Sequence, residues 1–223
     1  MKNKEKGIDI IFWIALATST FFLVFFRLRM GYATLDEAGY IEFAHRLLQG
    51  DAMLVEEWHR TQLASILLAP FVWAFERLAG SFEGVVLTFR FIYLIVHVAF
   101  SAFSYVLWRK KGKLFAALSS LMFFLYTPFC LYALNYNTFA LNFLYLSIAL
   151  WINKSDEVWA NVLTGFLYAG AVLCNPYLIV IYLVYFVYSI ALLFKKNRTH
   201  FKCFGEMTCG AAVLLCVFLG VVF

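Results

Sequence analysis

Apolar residues fall in long unbroken stretches separated by short polar joints. The stretches cover approximately residues 8–26, 63–79, 84–108, 114–130, 137–152, 158–174, 177–194 and 204–223. A helix needs about 20 apolar residues to cross a bilayer, and most of the runs approach that length. Spanning strands would instead show short segments of alternating polarity. The pattern predicts an all-α polytopic membrane protein. It reads as a single transmembrane domain over residues 1–223, with no soluble domain and no internal repeat.

Composition agrees with the pattern. Hydrophobic residues make up 64% of the 223, charged residues 14%, and mean hydropathy is +0.83. Soluble domains have about 45–50% apolar and about 25% charged residues. A soluble enzyme, a disordered tail and a secreted disulfide scaffold are excluded. The net charge of +5 is gathered in joints between apolar runs, which bears on membrane orientation and not on nucleic acid. The five cysteines form no Cys-x-x-Cys pair and read as small buried apolar residues.

Charge decides which runs cross. Lys2, Lys4 and Lys6 precede the first run, which ends in Arg27-Leu28-Arg29 and reads as an uncleaved anchor. Further basic residues cluster at Arg109, Lys110, Lys111 and Lys113, at Lys154, and at Lys195, Lys196, Arg198 and Lys202. If run 63–79 crossed, these nine would lie opposite the three at the N-terminus. If it lies at the interface, all twelve share one side, as the positive-inside rule requires. Run 63–79 also carries Pro70 and ends with Glu76 and Arg77. The expectation is therefore seven crossings in a cell membrane, with the N-terminus cytoplasmic. Residues 27–83 form one outer segment with two juxtamembrane helices. The last run stops at Phe223 without a polar flank and reads as an incomplete chain.

The outer segment carries the candidate chemistry. Thr34 and Glu37 have the spacing of a capping box, and Asp36 falls in the first turn of a helix over 35–49. Ile41, Ala44 and Leu48 give that helix an apolar face, and Gly50 stops it. Asp36 and Glu37 have two readings: helix capping, or an acid pair serving as general base or metal ligand. Glu42 with His45 and Glu56 with His59 repeat the Glu-x-x-His spacing of di-iron bundles. Such sites need two further carboxylates in a bundle core, and these pairs lie close together beside a membrane. Trp58 suits the headgroup level, with His59 and Arg60 beside it to meet a lipid phosphate. Arg90 stands about six residues inside its run, where it either snorkels outward or binds an anion. His97, deeper in that run, reads as a packing histidine.

Several stretches in this order resemble the GT-C glycosyltransferases, above all the protein O-mannosyltransferase and aminoarabinose transferase branch. They are Leu35-Asp36-Glu37-Ala38-Gly39-Tyr40, then Glu57-Trp58-His59-Arg60-Thr61-Gln62-Leu63, then Leu87-Thr88-Phe89-Arg90. The resemblance reaches nearly the whole chain but only the N-terminal part of a usual family member. It implies transfer of a sugar from a polyprenyl-phosphate donor to an acceptor on the outer membrane face. It implies Asp36 as general base, with Glu37 orienting the acceptor or holding a divalent metal, and His59, Arg60 and Arg90 on the donor phosphate. Where the family often has an acid before Thr and a base before Pro, this chain has Asn137 and Asn175. Membrane lipid and the lipid-linked donor are the expected partners. No cofactor is required beyond the possible metal, and turnover is not expected from this chain alone. The rival reading is a non-catalytic membrane protein: a transporter, a lipid binder or a decayed fragment.

Overall fold

The computed structural model describes residues 2–30, 35–53, 55–56, 61, 63–194 and 198–222; the side chains of 2–5, 35, 36 and 198 lie outside the description. The fold is all-helical, with no strand among the described residues. Helix α1 spans Lys2–Phe22 and continues as a π turn over Leu23–Arg27. Then come α2 (Leu35–Gln49), α3 (Leu63–Ala79), α4 (Val85–Trp108), α5 (Lys113–Leu125), α6 (Tyr136–Lys154), α7 (Val158–Cys174), α8 (Ile179–Phe194) and α9 (Arg198–Val222).

Four helical segments are long and apolar enough to cross a membrane: Lys6–Arg27, Val85–Lys111, Pro176–Phe194 and Thr199–Val222. Helix length does not carry the expected count of seven. Run 114–130 is helical only to Leu125, because the chain turns extended at Tyr126 before Pro128. The resulting 13 residues extend about 20 Å at 1.5 Å per residue, short of a ~30 Å core. Helix α7 has 17 residues. Helix α6 has 19, but Asn137, Thr138, Asn142, Ser147 and Asn153 dilute its apolar character.

Polar residues share the buried positions with apolar ones such as Phe89, Tyr93 and Leu94, and many large apolar residues are exposed. The buried face of α4 carries Arg90, His97, Ser101 and Ser104, while Leu87, Ile95, Phe103 and Val106 are exposed. On α1, Phe12 and Leu16 are buried, and Ile10, Ile11, Ile14, Phe21, Phe22, Phe25 and Phe26 face outward. In water these exposed faces would form large apolar patches of the kind that mark a membrane contact.

The chain divides into two compact units: Met1–Gln49 with Ser65–Thr138, and Gly50–Ala64 with Phe139–Phe223. In the first unit, α1 and α4 are antiparallel. Phe12 stacks on Tyr105 at 3.9 Å and the Tyr105 hydroxyl donates to Asp9 at one end, while Arg90 reaches the Leu28 carbonyl at the other. The chain therefore leaves α1 and enters α4 at the same end of the unit, so the segment between them makes no net passage along it. Asp9 also pairs with Lys113 at 2.7 Å and Arg109 at 3.5 Å, joining the starts of α1 and α5 to the end of α4. Helices α4 and α5 meet through small polar residues. Ser101 donates to the Ser120 carbonyl at 2.8 Å, and the Ser104 and Ser120 hydroxyls lie 2.9 Å apart. Such contacts let membrane helices approach closely and replace the hydrophobic drive that lipid removes. His97 is buried and donates from Nε2 to the Phe123 carbonyl at 3.2 Å, which is a packing role.

The second unit holds α6–α9 as alternating helices. Ser147 of α6 donates to the Thr164 carbonyl of α7 at 3.1 Å. Helix α9 runs parallel to α7: Asn161 donates to Glu206 at 2.8 Å, Gly165 meets Met207, and Gly170 meets Leu214. Helix α8, which joins them in sequence, runs antiparallel to α9, with Tyr182 against Thr208 and Tyr188 against His200. Two glycines set the α7–α9 crossing. A Cβ on Gly165 would lie 1.8 Å from the Met207 carbonyl oxygen, and one on Gly210 would lie 1.8 Å from that of Val162. Both obstacles are backbone, so the helices themselves would have to separate. Gly165→Ala and Gly210→Ala are each expected to cost about 1–3 kcal/mol, read by denaturant unfolding in detergent. Gly205→Ala, whose Cβ meets nothing within 4 Å, is expected to be as stable as the wild type or up to about 1 kcal/mol more stable, from helix propensity.

The cysteine expectation needs correction. Cys174 and Cys203 are buried, but Cys130, Cys209 and Cys216 are exposed. Cys209 and Cys216 lie on the segment Thr199–Val222, whose outward face is apolar, so the pattern that marks them as apolar does not distinguish core from lipid-facing surface.

Candidate functional site

The site forms where α1 ends and α4 begins. Arg90 is placed one turn into α4 and is 9% exposed. Its Nε donates to Glu37 Oε1 at 2.5 Å and its Nη2 to Glu37 Oε2 at 2.9 Å. Its Nη1 donates to the carbonyls of Leu28 at 2.8 Å and Met30 at 3.3 Å. Glu37, in the first turn of α2, is 4% exposed. This planar, two-pronged pairing is what a guanidinium offers and an ammonium does not. It ties α1, α2 and α4 together at one point.

The carbonyls that Arg90 uses lie just past the π turn that ends α1. The Leu28 N–H bonds back to Leu23 O at 2.9 Å, one residue wider than an α-helical turn, and α1 ends there. Final helical carbonyls have no partner within the helix, and a buried guanidinium satisfies them. Single π turns of this kind concentrate at functional sites.

A small cavity of about 60 Å³ opens beside the pair, walled by Arg27, Met30, Glu37, Arg90, Cys130 and Tyr132. The far wall comes from the loop after α5. Phe129 and Cys130 both take left-handed backbone there, with φ of 54° and 57°. Non-glycine residues in that region cost roughly 1–3 kcal/mol each and gather at functional loops. The Cys130 and Leu131 N–H groups are satisfied by Thr127 O and Pro128 O, both at 3.1 Å. The Arg27 guanidinium sits 5.2 Å from the centre of the Tyr132 ring and has no carboxylate partner among the described residues.

The loop ends in a cap. Asn135 Oδ1 accepts from the N–H groups of Asn137 and Thr138 at 3.0 Å each, and Thr138 Oγ1 accepts from the Asn135 N–H at 2.9 Å. This reciprocal pair starts α6.

Among the predicted site residues, the structure brings together Glu37 and Arg90. Asp36 lies in the first turn of α2, with its side chain outside the described residues. His59 and Arg60 also lie outside them, as does Thr34 of the expected capping box. Both Glu37 oxygens accept from Arg90, and the expected capping box with Thr34 falls outside the described residues. A metal on Glu37 would compete with that guanidinium, and among the described residues no three His, Cys, Asp or Glu side chains stand together as a metal set. The Glu42–His45 pairing does not form either. His45 Nδ1 bonds Glu76 of α3, and its Nε2 lies 2.8 Å from the Gln49 amide. Arg27 and Tyr132 were not among the predicted residues. Arg27 had a signal, since it closes the first apolar run, but it read there as a boundary marker.

The chain matches no protein-family model, no curated protein and no solved structure. Its functional reading therefore rests on this site.

Proposed function

We propose that the protein is a membrane glycosyltransferase acting on a polyprenyl-phosphate sugar donor at the membrane face where α2 lies. In this reading the Asp36 carboxylate takes the proton from the acceptor hydroxyl. The acceptor oxygen forms its bond to the anomeric carbon as the bond from that carbon to the phosphate oxygen breaks. The electron pair leaves with polyprenyl phosphate, and the anomeric centre inverts. His59 and Arg60 are the candidate contacts of the donor phosphate.

The observation that carries the reading is the buried Glu37–Arg90 pair. Taking both charges out of water is costly, and charges at membrane depth mark functional sites by default. The pair fixes the residue next to Asp36 against two other helices, which is the rigidity a positioned base needs. Glu37 and Arg90 thereby become positioning residues, in place of the acceptor-orienting and phosphate roles that the resemblance implies. The same pair favours the rival reading, a non-catalytic membrane protein, if holding three helices together is all it does. The test is release of polyprenyl phosphate by membranes from cells expressing the protein at its native locus, supplied with labelled polyprenyl-phosphate sugars. Release that disappears when the gene is deleted supports the transferase; unchanged release supports the rival.

The topology belongs to the same proposal: seven crossings in the cell membrane, N-terminus cytoplasmic, with α5, α6 and α7 as short spans. The parallel course of α7 and α9, with α8 joining them antiparallel to α9, supports it in the second unit. Single cysteines at Lys111 and Asp156, in a background without native ones, are expected to label from the cytoplasm. Those at Tyr126 and Tyr177 are expected to label from outside. Cytoplasmic labelling of Tyr126→Cys removes α5 and α6 from the spans.

A further inference from the structure

A half-open cavity of about 140 Å³ lies within the second unit, among α6, α7, α8 and α9. Its floor is Ser147, Thr164, Tyr168 and Met207, all buried. Its rim is Ile148 of α6 and Ile181 of α8, which are 41% and 49% exposed. Two aromatic pairs flank it: Trp151 against Tyr185 at 5.3 Å, and Tyr168 against Tyr182 at 6.2 Å. The polar atoms of these residues are turned away from the space. Ser147 donates to the Thr164 carbonyl at 3.1 Å, the Tyr168 hydroxyl donates to the Leu178 carbonyl, and the Tyr182 hydroxyl meets that of Thr208 at 2.6 Å. The Thr164 and Tyr185 hydroxyl oxygens are themselves buried. The wall that remains is apolar. A bound water needs about two to four polar partners, so this cavity stays dry.

We propose that the cavity holds the acyl chain of a bilayer phospholipid, which enters between α6 and α8. The mouth is continuous with the outward face of α8, part of the membrane-length segment Pro176–Phe194, where Val180, Val184 and Val187 are also exposed. The medium at that face is hydrocarbon. An empty cavity forfeits the dispersion contacts of its lining, and a chain from the adjoining lipid restores them. Among the described residues no cationic side chain lines the space, so the chain is taken up whatever headgroup it carries. The cavity shares no residue with the one beside the Glu37–Arg90 pair, and the inference holds whether or not the protein transfers sugar.

The test uses the whole chain, one copy per nanodisc, in phosphatidylcholine carrying a diazirine near the end of one acyl chain. Illumination attaches the chain to whatever residue it touches, and peptide mass spectrometry reads the adducts. Adducts are expected on Tyr168 and Met207, buried residues that a chain reaches from inside the cavity, as well as on Val184 and Val187 of the open face of α8. The same yields are expected from phosphatidylglycerol bearing the same chain. The double variant Ile148→Phe with Ile181→Phe narrows the mouth with apolar bulk. It is expected to lower the floor adducts several-fold and to leave those on Val184 and Val187 unchanged, with unaltered elution and thermal unfolding showing that the fold is kept. Labelled Val184 and Val187 over an unlabelled floor, a comparison that needs no variant, overturns the proposal. Floor adducts that persist in the folded rim variant overturn entry between α6 and α8, and a floor labelled from one headgroup alone overturns the unselective chain. Loss of floor adducts in discs holding two copies gives the space to a second copy of the chain. Their displacement by an equal mole fraction of polyprenyl phosphate gives it to an isoprenoid. Either result overturns the acyl chain as occupant.

Discussion

Asp36→Asn is expected to lower sugar transfer about 10²–10⁴-fold, the usual contribution of a general base, with donor binding and membrane level unchanged. Asn keeps the size of the side chain but cannot take the acceptor's proton. The competing expectation is small. If Asp36 only supports the start of α2, the change removes a charge–dipole interaction worth about 0.3–1 kcal/mol, and transfer falls only a few fold. The assay is release of polyprenyl phosphate from labelled donor in native membranes, with protein quantified in the same samples. Near-wild-type release from Asp36→Asn would remove Asp36 as the base and leave the acid pair as a structural element.

The two acids differ in what the sequence reveals. Adjacency and a common position after the first apolar run make Asp36 and Glu37 look like one functional pair. The structure gives Glu37 a partner 53 residues away. Nothing in the spacing around Glu37 announces Arg90, because the segment that brings them together contains two helices of its own. Arg90 itself was legible: a charge inside an apolar run needs either water or a partner. What stayed hidden was which. The same limit explains His45. Its neighbour at Glu-x-x-His spacing, Glu42, lay on its own helix, whereas its partner Glu76 comes from α3.

Helices were legible wherever apolar residues ran unbroken. Their ends were less so where apolar character continues past the helix, as from Tyr126 to Cys130, because hydropathy does not register a change of backbone direction. Gly165 and Gly210 show the same limit. A glycine in a helical run signals weakness by propensity; that these two let backbones touch depends on a partner helix about 40 residues away.

Breaking the Glu37–Arg90 pair from one side is expected to cost more than removing it. Arg90→Met leaves the Glu37 carboxylate buried at 4% exposure with no guanidinium. Glu37→Gln leaves Arg90 charged against a neutral amide. Removal of one partner from a buried pair typically costs about 3–5 kcal/mol, enough to deplete the folded protein in membranes. The double variant Glu37→Leu with Arg90→Met leaves no buried charge and is expected to recover most of that loss, since apolar replacement of a buried pair is often neutral. It still leaves the Leu28 and Met30 carbonyls without their donor, so recovery stops short of wild type by about 1–3 kcal/mol. Arg90→Lys keeps the charge but not the fork, and its stability should fall between the wild type and Arg90→Met. Denaturant unfolding of the wild type, Glu37→Leu, Arg90→Met and the double variant in one detergent gives the coupling energy directly as a double-mutant cycle. Additive losses in the cycle would mean that the two side chains do not act as a pair, and the anchoring of α2 would have to come from elsewhere. Where the cycle couples, the double variant also separates anchoring from chemistry: it is expected to fold and to lose transfer, because Asp36 then sits on a helix start that no ion pair holds.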